Sequence, residues 1–211
     1  MVPDSQQLTA NSIRTFIALD LPGGALEQLD RIQRRLMARL ATDAIRWTPR
    51  EGMHVTLKFL GDVGETRIPE LSAAFREACR DARALRLALD KLGCFPGFNK
   101  PSVIWMGLCG ELERLQSLQQ SIESATAPFA AKQERRPFQP HLTLGRIRPG
   151  ARGKRGQGGK ARRIGALLSA ETVTVTVECQ WTSDCVTLYK SELTPKGPVH
   201  TPLERLKLPE T

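Results

Sequence analysis

His54-Val55-Thr56-Leu57 has a second copy in this sequence, at His141-Leu142-Thr143-Leu144. The chain contains three histidines, and two of them carry this pattern of His, aliphatic residue, Thr and Leu. Each copy follows a proline-containing loop and consists of strand-forming residues, so each is predicted to be a short strand. Side chains alternate faces along a strand, so the His and the Thr of each copy project together while the aliphatic residues turn to the core.

Two imidazoles and two hydroxyls on facing strands suit the hydrolysis of a phosphodiester. Histidine has a pKa of about 6.5 and therefore gives and takes protons near neutrality. Displacement at phosphorus needs a base on the attacking water and an acid on the departing oxygen, and His54 and His141 can supply both. The Thr56 and Thr143 hydroxyls can donate hydrogen bonds to the non-bridging oxygens. This chemistry requires no metal and no other cofactor.

The duplication is what favours catalysis, because a lone histidine on a strand is usually structural. A zinc site built from His54, His141 and His200 is the alternative for the same residues. The sequence disfavours it, since these histidines show no short ligand spacing and no acidic third ligand lies nearby.

The composition is that of an ordinary globular protein, with 40% hydrophobic and 25% charged residues in a chain of 211. The five cysteines are an odd number, are scattered and form no Cys-x-x-Cys pair, which argues against a disulfide framework and against a structural zinc site. The sequence shows no signal-peptide pattern and no apolar run approaching the roughly 18 residues of a membrane span. We therefore expect a cytoplasmic protein, and a monomer.

The net charge of +9 indicates anionic partners, and most of the excess lies in one glycine-rich segment, 148–163. This basic loop has no acidic residue, and its glycines predict mobility. A role in contacting a phosphate backbone and a role as solvated surface are both open for it. Its basic residues are Arg148, Arg152, Lys154, Arg155, Lys160, Arg162 and Arg163.

The order of elements repeats along the chain as strand, helix, proline-bearing loop and histidine strand. The fold class expected is α+β, with two pseudo-symmetric lobes, each an antiparallel sheet with helices on its outer face, and an active-site cleft between them. We predict a disordered N-terminus over 1–12 and a single bilobal domain over 13–211. The duplicated halves are expected at approximately 13–97 and 98–211.

Four predicted elements bear on the comparison with the structure. The first histidine strand is expected over 53–60 and is expected to end at Gly61-Asp62. A strand is expected over 85–92, followed by a turn-rich connection. The segment 164–168 is expected to form a helical turn, and the alternating residues 172–177 are expected to form a strand.

The sequence resembles the two-histidine phosphoesterase superfamily and, within it, the RNA 2′,3′-cyclic phosphodiesterases, also called 2′-5′ RNA ligases. The resemblance covers about residues 13–208. It is carried by Arg14-Thr15-Phe16-Ile17-Ala18-Leu19, Arg46-Trp47, His54-Val55-Thr56-Leu57-Lys58-Phe59-Leu60-Gly61, Phe138-Gln139-Pro140-His141-Leu142-Thr143-Leu144-Gly145-Arg146, and Ser191-Glu192-Leu193 with Gly197-Pro198.

The resemblance implies hydrolysis of an RNA 2′,3′-cyclic phosphate to a 2′-phosphate without a metal, with reverse 2′-5′ ligation as a further activity of the same site. It implies that His54 is the proton donor and His141 the proton acceptor, an assignment that the symmetry of the motifs leaves open. It also implies that Arg146 lies near the substrate with Thr56 and Thr143.

Two features depart from the family pattern. His200 stands where the family usually has a tyrosine, and we expect a structural or rim position for it because Pro198 and Pro202 bracket it. The basic loop 148–163 is also longer and more basic than expected. Two rival functions remain open: a related cyclic-nucleotide phosphodiesterase, and a non-catalytic RNA-binding protein.

Overall fold

The computed structural model describes residues 11–130, 136–152, 159–171, 180–195 and 197–210. The strands are β1 (Ser12–Leu19), β2 (Ile45–Trp47), β3 (Val55–Gly64), β4 (Leu85–Phe95), β5 (Val103–Gly110), β6 (His141–Ile147), β7 (Gln180–Ser183), β8 (Cys185–Thr194) and β9 (Gly197–Lys207). The α-helices are α1 (Gly23–Leu40), α2 (Ile68–Ala78), α3 (Leu112–Ala125) and α4 (Lys160–Glu171). No helix in these ranges is long and apolar enough to cross a membrane.

The strands form one antiparallel sheet with the spatial order β7-β4-β5-β6-β3-β1-β8-β9, and β2 pairs with β6. The two histidine strands, β6 and β3, are neighbours at the centre of this order. Each is flanked by the strand that opens its repeat, β5 on one side and β1 on the other. In the described part of the chain, one residue pair, Val55 with Leu142, joins β3 to β6. The predicted pair of pseudo-symmetric lobes is confirmed, and the lobes meet at this β3–β6 seam.

The chain exchanges strands between the two lobes. β4 comes from the first half of the sequence but pairs with β5 and β7 of the second. β8 and β9 come from the second half, and β8 pairs with β1 of the first. The sequence boundary expected near residues 97 and 98 therefore does not coincide with the division of the sheet.

The apolar core lies between the sheet and the helices. The inward aliphatic residues of both motifs are buried, with exposed fractions of 3% or less. Each helix contributes a stripe of buried residues to the same core. Those stripes include Leu29 and Leu36 of α1, Leu71 and Phe75 of α2, Leu115 and Ile122 of α3, and Ile164 and Leu168 of α4.

Two buried polar side chains tie helices to the seam. Gln33 of α1 donates hydrogen bonds to the carbonyl oxygens of Thr48, at 2.8 Å, and Leu144, at 2.9 Å. Lys58 of β3 donates to the carboxylate of Glu123 on α3 at 2.9 Å and to its carbonyl oxygen at 2.8 Å. Both buried polar groups therefore have hydrogen-bond partners, as buried polar groups in proteins generally do. Their bonds hold α1 and α3 against the histidine strands.

Three predicted boundaries differ from the structure. β3 continues past Gly61 to residue 64, because Gly61 takes a positive φ of 79° at a point where the register with β1 shifts. β4 continues to residue 95, because Gly93 pairs with Trp105 and has no side chain to obstruct its ring. The turn predicted over 164–168 is part of the longer helix α4.

Three other predictions fall wholly or partly outside the described residues. The strand predicted over 172–177 and residues 153–158 of the basic loop lie outside them. Of the N-terminus predicted to be disordered over 1–12, residues 1–10 lie outside them, and Ser12 belongs to β1.

Candidate active site

The β3–β6 seam brings the two motifs together. Val55 and Leu142 face each other on antiparallel strands and are fully buried. On antiparallel strands, the residue before Val55 lies beside the residue after Leu142, and the residue after Val55 lies beside the residue before Leu142. The histidine of each motif is therefore beside the threonine of the other motif, on the face away from the core. These four partly exposed side chains are His54 beside Thr143 and Thr56 beside His141.

His54 lies in a cluster of aromatic rings. Its imidazole stacks on Phe16 with ring centroids 4.9 Å apart, and the ring of Tyr189 is 6.2 Å away. His200 meets it edge-on at 5.5 Å. Burial, followed by the charges of His200 and His141, lowers the pKa of His54 to about 3. In the free protein this imidazole is therefore neutral at pH 7.

His141 packs against aromatic rings of β4 and β5, and its ring is hydrogen-bonded to a backbone carbonyl. Phe95 meets its ring edge-on at 5.0 Å, and the ring of Trp105 is 6.2 Å away. Its Nδ1 is 2.7 Å from the carbonyl oxygen of Gln139. A carbonyl oxygen only accepts, so Nδ1 carries the proton and Nε2 is the titrating nitrogen. Burial lowers the pKa of His141, the bond to Gln139 opposes this, and Arg146 lowers it further.

Arg146 lies on the same face as His141, because β6 contains a local irregularity. The pairing of β6 with β5 shifts between Thr143 and Gly145. As a result Leu144 and Ile147, three residues apart, both point to the core. Arg146 therefore points to the cleft, where it is exposed. Its electrostatic effect on His141 agrees with this placement.

A hydrogen-bonded group that sequence reasoning missed supports the ring cluster around His54. The carboxylate of Asp20 accepts hydrogen bonds from the hydroxyls of Thr187 and Tyr189, each at 2.7 Å. Tyr189 stacks on Phe16 at 5.1 Å. Burial and then the bond to Asp20 raise the pKa of Tyr189 to about 12, so the phenol stays protonated and keeps donating. The alternation of Thr187 and Tyr189 along β8 was the available signal that they share a face.

His200 lies closer to the motifs than the flanking prolines indicated. It is on β9, opposite Ser191 of β8, and is partly exposed. Its ring edge contacts Phe16 at a centroid distance of 4.8 Å as well as meeting His54. Its Nδ1 is buried and has no hydrogen-bond partner among the described residues. Burial lowers its pKa. The expected rim position is thus in direct contact with the ring cluster of His54.

The described ranges contain no group of three or more His, Cys, Asp or Glu side chains arranged to hold a metal ion. The cleft instead presents imidazoles, hydroxyls and a guanidinium, which are groups that transfer protons or donate hydrogen bonds to anions.

Solved structures share this architecture. A protein of Thermus thermophilus superimposes with a TM-score of 0.71 at 24% identity, covering 94% of this chain and 99% of that one. E. coli LigT in complex with 3′-AMP superimposes with a TM-score of 0.68 at 25% identity, covering 94% of this chain and 99% of that one.

Curated relatives and a family model identify the group to which the sequence belongs. A protein of Methanothermobacter thermautotrophicus named RNA 2′,3′-cyclic phosphodiesterase is 32% identical over 93% of this chain and 99% of its own length. A Thermotoga maritima protein of the same name is 28% identical over 89% of this chain and 91% of its own. The family model described as LigT like Phosphoesterase matches residues 19–105 and 109–200. The chain therefore belongs to the LigT-like phosphoesterases, within the two-histidine superfamily that its paired motifs resemble.

Proposed function

We propose that this protein hydrolyses the 2′,3′-cyclic phosphate end of RNA to a 2′-phosphate without a metal ion. The observation that carries the proposal is the arrangement at the seam, where each histidine lies beside the threonine of the other motif. A phosphate held between the two strands has one imidazole on either side. That is the arrangement in-line displacement at phosphorus requires, with the base and the acid on opposite sides.

His141 is the base in this scheme. Because its Nδ1 proton is held by the Gln139 carbonyl, the lone pair of Nε2 is free to accept a proton. Nε2 takes a proton from water as the water oxygen bonds to phosphorus. The lowered pKa of His141 keeps it neutral, and therefore competent as a base, at pH 7.

His54 is the acid in this scheme. The bond from phosphorus to the ribose O3′ breaks, and His54 gives its proton to that oxygen, leaving the phosphate on O2′. A neutral imidazole must first gain this proton, and an anionic phosphate beside it favours the charged form. Substrate binding thus raises the pKa of His54 from the low value it has in the free protein.

Thr56, Thr143 and Arg146 bind the substrate in this scheme. The two hydroxyls donate to the non-bridging oxygens of the reacting phosphate, and the Arg146 guanidinium supplies charge-assisted hydrogen bonds to the anionic substrate. If the 5′-hydroxyl of a second RNA took the place of water, its oxygen would bond to phosphorus as the P–O3′ bond breaks, and a 2′-5′ linkage would form; this ligation, with the same acid and base, is part of the proposal.

The relatives support the choice of substrate. Several curated relatives are named RNA 2′,3′-cyclic phosphodiesterase, two of them similar over about nine-tenths of this chain. E. coli LigT has been solved in complex with 3′-AMP, a ribonucleotide with a phosphate on its ribose. A nucleotide-sized cyclic phosphate is therefore the first substrate to test.

The test uses purified protein treated with EDTA and a nucleoside 2′,3′-cyclic phosphate, with identification of the product isomer. We expect a 2′-phosphate, and we expect His54→Ala and His141→Ala each to lower the rate by at least roughly 10²-fold. The double variant should lose far less than the product of the single losses, because the two residues act in one step. Loss of activity on chelation that zinc or manganese restores would overturn the metal-free mechanism.

A further inference from the structure

Arg46 and Arg146 face each other directly across β2 and β6. The next pair, Ile45 with Ile147, is buried in the core with exposed fractions of 4% and 1%. Alternation along the strands therefore directs both arginines to the opposite face, which is the face of His141. Both side chains are exposed there.

The positive charges of Arg46 and Arg146 repel each other in this position. Cations directly opposite on neighbouring strands are destabilising, and within the described ranges neither guanidinium is paired with a carboxylate. Nearby basic residues do have acceptors: Arg148 donates to the carbonyl oxygen of Asp43 at 2.9 Å, and Arg50 lies 3.9 Å from the carboxylate of Glu27. An anion bound between Arg46 and Arg146 would relieve this repulsion.

The chemistry of this pair fits a phosphate. A guanidinium offers a planar set of donors that matches phosphate oxygens, and two facing guanidinia can hold one phosphate between them. A carboxylate ligand would fit one guanidinium equally well, but the reaction proposed for the neighbouring motifs supplies a phosphate-bearing substrate.

The position of the Arg46–Arg146 pair relative to the motifs indicates which phosphate of the substrate the pair would bind. Arg146 follows Thr143 by three residues on β6, about 10 Å along the strand. Arg146 lies four residues beyond Leu142, the residue of β6 that pairs with β3 at the seam, and Arg46 lies opposite it on β2. The pair thus lies beyond the reacting group along β6.

A further basic group lies beyond the pair. Arg148 directly follows β6 and is exposed. In the sequence it begins segment 148–163, which has seven basic residues and no acidic one. An RNA strand leaving the seam along β6 would therefore pass Arg148 after the Arg46–Arg146 pair.

We propose that Arg46 and Arg146 bind the phosphodiester adjoining the cyclic end, so that an RNA strand is preferred over a mononucleotide. This inference rests on the function proposed above. It adds Arg46 to the substrate contacts, assigns Arg146 a position between the reacting phosphate and the next one, and gives the direction in which the strand leaves the site.

The test compares Arg46→Gln with Arg34→Gln, a matched loss of charge on the outer helix α1, where the Arg34 side chain is 73% exposed. The substrates are a short RNA with a 2′,3′-cyclic phosphate end and the corresponding nucleoside 2′,3′-cyclic phosphate. We measure the ratio of their kcat/KM values over a range of potassium chloride concentrations. Thermal unfolding checks that both variants keep the parent's Tm.

Arg46→Gln should lower the ratio about tenfold, the size of effect expected for one hydrogen-bonded charged group. The salt slope for the oligonucleotide should become shallower by about 0.7, the contribution of one single-strand phosphate. Arg34→Gln should leave the ratio unchanged. Equal losses on both substrates, or no loss on either, would overturn the proposal.

A binding measurement separates failure of this inference from failure of the proposed reaction. Fluorescence anisotropy with an RNA oligonucleotide bearing a 2′-phosphate, the product form, requires no turnover. Weaker binding by Arg46→Gln, with the shallower salt slope, supports the subsite even if the parent protein hydrolyses neither substrate. Unchanged binding overturns the subsite even if the parent is an active phosphodiesterase.

Discussion

His54 and His141 differ in the contacts of their rings, and this difference supports the opposite parts that we propose for them in the proton transfer. The Nδ1 of His141 is fixed by a backbone carbonyl, which leaves one defined basic nitrogen. His54 has aromatic neighbours and a second imidazole beside it, and these keep its charged form unstable until an anion arrives. The duplicated sequence is symmetric in these residues, but their surroundings are not.

The dependence of kcat/KM on pH should reveal this asymmetry. In the proposed mechanism His54 acts only when protonated, and its pKa of about 3 in the free protein makes that form scarce above pH 3. His141 acts only when neutral, and its pKa is lowered below the ordinary value of about 6.5. The product of the two populations is greatest between the two pKa values, so kcat/KM should be maximal on the acid side of about pH 6.5 and fall toward neutrality.

Replacing His200 should move the acid limb of this profile. In His200→Phe the ring contacts with Phe16 and His54 are kept, but the charge that helps to lower the pKa of His54 is lost. The acid limb of kcat/KM should therefore shift to higher pH in His200→Phe. In both His200→Phe and His200→Tyr, kcat should stay within a few-fold of the parent value. A parent profile that is flat between pH 5 and 8, or a loss in either variant as large as that in His54→Ala, would contradict this account.

At the scale of the elements, the position of His141 depends on a close contact between β4 and β5. A Cβ added to Gly93 would lie 2.2 Å from the ring of Trp105, so only glycine lets this ring lie across β4. Trp105 contacts both Phe95 and His141. The indole is thus held between the strand that supports it and the imidazole that it helps to orient.

Gly93→Ala should lower both stability and activity. The added methyl group displaces the buried indole, and overpacking of this kind costs about 1–3 kcal/mol of the free energy of unfolding. Because the displaced ring is a neighbour of His141, kcat should fall as well. The matched control is Gly64→Ala, where a Cβ would meet nothing within 4 Å, and it should change the free energy of unfolding by about 0.5 kcal/mol or less. Urea unfolding and kcat measured on both variants check this, and equal behaviour of the two would refute the role given to Gly93.

The sequence predicts most elements correctly, and two of its three boundary errors have a common cause. Helical periodicity located α1, α2 and α3, and the second motif matched β6 over 141–147. Those two errors fall where a glycine was interpreted as the end of a strand. Gly61 instead takes a positive φ at a β-bulge, and Gly93 leaves room for the ring of Trp105. Both features depend on the partner strand, which the local sequence does not specify.

The candidate site shows the same division between local and distant information. His54, Thr56, His141 and Thr143 could be predicted because each motif is short and repeated. Asp20, Tyr189 and His200 could not, because they reach the site only through the pairing of β1 with β8 and of β8 with β9. Such pairing is fixed by the packing of the whole sheet.

At the scale of the molecule, strand exchange makes each lobe depend on both halves of the sequence. β4 lies between β5 and β7, so the first half supplies an inner strand of the second lobe. A side-chain link crosses in the opposite direction: Trp181 donates to Ser183 Oγ at 2.9 Å, and Ser183 donates to the carbonyl oxygen of Asp20 at 3.0 Å. The two histidines are thus held in register by connections that cross the seam more than once.

Cutting the chain between residues 97 and 98 should leave two fragments that do not fold separately. Without β4, β7 loses the strand with which it pairs, and Trp181, only 8% exposed in the whole protein, becomes accessible to water. The fragment 98–211 alone should show the red-shifted tryptophan emission of an exposed indole and no cooperative unfolding in urea. Mixing it with fragment 1–97 should shift the emission to shorter wavelength, restore one cooperative transition and recover phosphodiesterase activity, because both histidines then return to one seam. If fragment 98–211 alone unfolds cooperatively with buried-tryptophan emission, the sequence halves are independent folding units and the exchanged strands are not needed for their stability.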